Sequence, residues 1–77
     1  MDASKLVRMA NQIAQFFAGE AEPKAAVAGV VGHLKRFWEP RMRKALFAAF
    51  DAGQTQGMHE LVQTALRSHR ADLLPAR

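Results

Sequence analysis

The chain has no cysteine, no tyrosine and a single tryptophan, and its 77 residues include only five glycines and three prolines. Without cysteine, neither a disulfide framework nor a thiolate metal site can brace it, so its stability must come from packing. No segment approaches the roughly 20 apolar residues of a membrane span. The N-terminal residues also lack the basic patch, apolar run and small-residue cleavage site of a secretory leader. These absences set the expectation of a soluble, cytoplasmic protein with no membrane contact. Period-two runs of β-branched residues are missing as well, which argues against strands. Catalytic signatures are equally sparse. The glycines are dispersed and none opens a Lys-Ser/Thr phosphate loop. His33, His59 and His69 share no ligand spacing on one helix face, and His59 and Glu60, being adjacent, point in different directions. The expectation is a non-enzyme with no metal ligands.

What is present favours helix. Alanine is abundant and the hydrophobic share is an ordinary 49%. A chain this short has room for one helical domain, residues 1–77, with residues 71–77 reading as a tail. At such a size a hydrophobic core leaves only about 3–5 kcal/mol after chain entropy, so a protein partner would be a useful source of further stability. The net charge of +4 and a sequence pI near 10.4 admit nucleic acid, anionic lipid or an acidic protein surface as partner, without choosing among them.

Four amphipathic segments follow one another. Leu6, Met9, Ala10, Ile13, Phe16 and Phe17 form the first apolar stripe, with Arg8, Asn11, Gln12 and Gln15 opposite and Asp2 or Ser4 as cap. Gly19 and Pro23 then mark a helix end and a helix start, the signature of a helical hairpin. Val27, Val30, Val31, Leu34, Phe37 and Trp38 repeat the same spacing 21 positions later, again closing on an aromatic pair. Any two amphipathic helices of equal length share such a template, so the repeat need not mean duplication. The third segment, about Arg41 to Ala52, turns Met42, Ala45, Leu46, Ala49 and Phe50 inward and stops at Gly53. The fourth carries Met58, Leu61, Val62, Ala65, Leu66 and His69 on one face. The fold expected is all-α, a small bundle of three to four short helices arranged as stacked helical hairpins.

The most unusual stretch is HLKRFWEPRMRKAL, residues 33–46, where the only Trp and a Pro sit among five basic residues. Pro40 cannot donate a backbone hydrogen bond and disfavours helix at Glu39, so the second helix should end near Trp38 and the third begin just after. Lys35, Arg36, Arg41, Arg43 and Lys44 then gather at one corner, as donors suited to phosphate or carboxylate. Trp and Arg together have the composition of an interface hot spot. Trp38 nevertheless lies on the apolar stripe, which assigns it to the core, and exposed charges often form a merely solvated face. Phe47 falls outside the expected stripe and either fills a gap between helices or touches a partner.

Two strings carry a family resemblance. LVRMANQIAQFF (Leu6 to Phe17), followed at this distance by HLKRFWEPRMR (His33 to Arg43), closely resembles the small delta subunit of soluble, NAD-dependent, molybdenum-containing formate dehydrogenases. GMHELVQTAL (Gly57 to Leu66) resembles the family's last helix more weakly, with Glu60 where the family often has Pro. The resemblance implies an accessory, non-catalytic role beside a catalytic (alpha) subunit. That subunit carries a molybdenum bis(pyranopterin guanine dinucleotide) centre and iron–sulfur clusters, and further subunits pass electrons through flavin to NAD. It implies participation in cofactor insertion or retention, and it makes Trp38, Pro40, Arg41, Met42 and Arg43 candidates for binding the catalytic subunit. Arg8, Asn11 and Gln12 join them, and Phe47 would extend the patch. In a sharper form, Lys35, Arg36, Arg41, Arg43 and Lys44 contact guanine nucleotide phosphates; no cofactor is otherwise expected on this chain. The alternative from another class is a small basic nucleic-acid-binding module.

Overall fold

Asp2 opens the first helix by accepting hydrogen bonds at Oδ1 from the backbone N–H of Ser4 at 3.1 Å and from its hydroxyl at 3.0 Å. These bonds hold the Asp2 carboxyl below its ordinary pKa. In the computed structural model, which describes residues 2–74, α1 (Ala3–Phe17) leads through a short link to α2 (Pro23–Phe37). Pro23 takes the first helical position, where its missing N–H costs nothing. The backbone turns extended at Trp38 and Glu39, and Pro40 opens α3 (Pro40–Asp51), so the bend expected from Pro40 is present. Gly53 adopts a left-handed φ of 79° and ends α3; Gly57, at 81°, turns the following loop. Then come α4 (Glu60–Ser68) and a single-turn α5 (Arg70–Leu73). Among the described residues there is no strand, and no helix is long and apolar enough to cross a membrane. The expected all-α bundle of stacked hairpins is the observed fold: α1 packs on α2, α3 and α4, while α2 packs on α4 and α5.

The core is built from successive helical turns. Leu6, Ala10 and Ala14 line α1 at four-residue spacing, and the small alanines let three helices approach it. Val30, Val31 and Leu34 from α2, Trp38 from the bend, Leu46 and Phe47 from α3, and Met58, Val62, Ala65 and Leu66 around α4 close the same cluster. Gly29 is needed where α1 and α2 cross. A Cβ there would overlap the Phe17 ring, whose Cγ would lie only 2.8 Å away.

Several expectations are corrected. The inward stripe of α3 is Arg43, Leu46, Phe47 and Ala49, turned by about one residue from the one anticipated, because the aliphatic stem of Arg43 is buried despite its charge. Phe47 is therefore a gap-filling core residue. Met42, Ala45 and Phe50 are only half-buried. Residues 71–74 are not tail: Leu73 is fully buried in the cluster and Leu74 packs against it, while residues 75–77 of the expected tail lie outside the described residues.

His59 settles where α4 begins. Its Nδ1 accepts the Leu61 N–H at 3.0 Å, so an imidazole caps the helix at the position before Glu60. Replacing His59 with alanine should cost about 1 kcal/mol, and so lower the melting temperature by about 4–8 °C. Restoration by His59→Asn would show the cap, rather than ring packing, to be responsible; an alanine variant melting like the parent would exclude the cap as a source of stability.

Candidate functional site: an aromatic groove between α1 and α2

The basic corner anticipated around Pro40 is divided by the fold. Lys35 and Arg36 are exposed on the last turn of α2, where their charge complements the helix C-terminus. Arg41 and Lys44 are exposed on α3. Trp38, at 6% exposure, and Arg43, at 9%, are not displayed, nor is Phe47. Arg43 has its Nε buried with no hydrogen-bond partner among the described residues. Among the described residues none of these five cations forms an ion pair. Across the molecule, Arg70 grips Asp51 with both terminal nitrogens, one at 3.2 Å, and its guanidinium lies 4.9 Å from the centre of the Phe47 ring. That pairing lowers the Asp51 pKa and raises that of Arg70. It helps to fasten α5 to the end of α3.

The polar face of α1 divides as well. Asn11 turns inward and binds the loop before α4 twice: its Nδ2 donates to the Gly57 carbonyl at 2.7 Å, and its Oδ1 accepts the His59 N–H at 2.8 Å. Its amide is thus engaged at both ends within the chain. Arg8 is exposed beside a hollow it shares with Ser4, Val7, Ala49 and Gln54. Gln12, also exposed, borders a different and largely apolar surface.

That surface is built from the unburied members of the two aromatic pairs. Consecutive helical residues lie about 100° apart, which parts Phe16 from Phe17 at the edge of the buried stripe, and the backbone turns extended at Trp38, which parts it from Phe37. In each pair the first residue is left outside: Phe16 is 78% exposed and Phe37 67%. Met9, one face with Ile13 and Phe16, is 37% exposed. Phe16 stacks edge-on against Phe17 with centroids 5.0 Å apart, and His33 lies 4.7 Å from Phe37. Gln12, Ile13, Phe16, Phe17 and His33 enclose a hollow of about 340 Å³. A second, of about 220 Å³, shares Phe17 and His33 and continues over Gly29 and Gly32 to Arg36. The two form an open groove along the α1–α2 seam. Exposed aromatic surface of this kind marks binding sites. Sequence reasoning missed it by assigning both members of each pair to the core.

Residues 5–66, which span both groove helices and most of α4, match the family described as "NADH-dependant formate dehydrogenase delta subunit FdsD". The chain belongs to the FdsD family. The resemblance read from the two sequence strings is thereby established over most of the chain. No curated protein and no solved structure matches it. Within the FdsD match lie the groove, the Asn11 tie and the bend at Pro40, whereas α5 and its Asp51 clamp extend beyond it.

Proposed function

We propose that this chain is a non-catalytic, cytoplasmic accessory subunit that binds the catalytic (alpha) subunit of formate dehydrogenase and supports insertion or retention of its molybdenum cofactor in a chaperone-like way. The observation that carries this reading is membership of the delta-subunit family over residues 5–66. The chemistry of the fold is in keeping with it: the chain exposes apolar aromatic surface suited to a protein partner. The molybdenum, iron–sulfur, flavin and NAD chemistry belongs to the partner subunits.

The finer version, contact with guanine nucleotide phosphates, is supported by the four exposed cations Lys35, Arg36, Arg41 and Lys44 near the α2–α3 bend. These side chains fit phosphate as donors, while Arg43, with its Nε buried, does so less well.

The test is to purify formate dehydrogenase produced with and without this chain and to measure co-purification and molybdenum per catalytic subunit. The chain should co-purify, and molybdenum occupancy should fall several-fold in its absence. Full occupancy without it would remove the cofactor role; failure to co-purify would remove the subunit role.

A further inference from the structure

The two helices that form the groove carry charge of one sign. Within Ala3–Phe17 and Pro23–Phe37 the cations are Lys5, Arg8, Lys24, Lys35 and Arg36, and there is no Asp or Glu in either helix. The chain's seven carboxylate side chains all lie in caps, links or later elements. Within the groove itself the residues are apolar or neutral except for His33 and, at the end toward Phe37, Arg36. Phe16 and Phe37 stand out from opposite helices. Gly32 adds depth between them, since the position its Cβ would take is open.

This geometry selects its occupant. Two antiparallel helical walls with protruding aromatic rings receive a third helix by its apolar stripe, the helix-in-groove mode of recognition. Arg36, the one Lys or Arg among the residues that line the groove, favours a carboxylate beside that stripe. A second copy of the chain would oppose one cationic pair of helices with another, which like-charge repulsion disfavours. A lipid surface would be met best by a convex, projecting face, whereas this one is hollow between its rings. We infer that the groove binds an acidic amphipathic helix of a partner protein, with Phe16 and Phe37 as anchors and Arg36 pairing with a carboxylate. The inference deepens the accessory-subunit reading and rests on it, the partner being the catalytic subunit.

Binding to the purified catalytic subunit is measured by surface plasmon resonance for the parent chain, Phe16→Ser/Phe37→Ser and Arg36→Glu, all of whose altered side chains are exposed, with circular dichroism confirming helix content. The double variant should bind at least about tenfold more weakly, as loss of aromatic anchors predicts. Arg36→Glu should slow association at low salt, with the difference shrinking as salt screens the charge. Carbodiimide coupling of Arg36→Lys, which places an amine at the margin, should give an amide to an Asp or Glu of the partner within a segment of helical apolar spacing. If the parent chain binds and both variants bind equally well, the groove inference is overturned while the accessory role stands. If the parent does not bind, the accessory reading itself falls and takes the inference with it. Self-association of the parent in sedimentation, or retention on anionic phospholipid vesicles, abolished by Phe16→Ser/Phe37→Ser, would instead give the face to a second copy or to a membrane and overturn the inference.

Discussion

Trp38→Ala should leave the isolated chain without a cooperative thermal transition. The indole is buried against both hairpins at the bend between α2 and α3, within the same cluster as Leu34, Leu46 and Phe47. Truncating a buried Trp costs about 3–5 kcal/mol in lost transfer energy and residual cavity. A single domain of this size has about 3–5 kcal/mol to lose. The two are equal, so the variant should populate largely unfolded chain at room temperature, seen as loss of helical ellipticity and of the sigmoidal melt. A variant that kept a transition within a few degrees of the parent would contradict the position of Trp38 in the core. It would also revive its role as a displayed anchor. The groove anchors behave oppositely: Phe16 and Phe37 contribute little burial within the chain, so the same ellipticity measurement should barely register their replacement.

The second large effect is expected at Asn11. Asn11→Ala removes two hydrogen bonds at once and leaves the half-buried His59 N–H without its acceptor. A net loss near 1 kcal/mol per bond, with the added penalty of an unpaired buried donor, amounts to about 2–4 kcal/mol. The urea midpoint should fall by more than half with little change in slope. Gln12→Ala, one residue along on the exposed side, should stay within about 0.5 kcal/mol of the parent. Equal effects of the two substitutions would mean that the Asn11 bonds do not hold the loop before α4.

These effects also show what was legible beforehand. The helical class, the hairpin at Gly19 to Pro23, the break at Pro40 and the stop at Gly53 followed from local chemistry: glycine's access to positive φ and proline's fixed φ and missing donor act within a few residues. Which face of each helix is inward is decided by neighbours distant in sequence, and there the reading slipped. Counting Arg43 as polar concealed the Arg43, Leu46, Phe47 stripe, because a long aliphatic stem buries like a hydrophobe while its charge dominates any tally. Counting Phe16 and Phe37 as core concealed the groove. Asn11 resembled any amide on a polar face, since its acceptor and donor lie 46 and 48 residues away. The cap at His59 was hidden because histidine is not among the common capping residues.

The tie between Asn11 and the loop at Gly57 and His59 also has a consequence in time. A ribosome adding about 5–20 residues per second needs roughly 2–10 s to travel from Asn11 to His59. Throughout that interval α4 is missing, so the part of the α1–α2 hairpin that α4 will cover stands open together with the aromatic groove. The nascent chain is thus amphipathic on both sides until its fourth helix emerges, and the closing of Asn11 onto the loop marks the moment at which only the groove remains open to a partner.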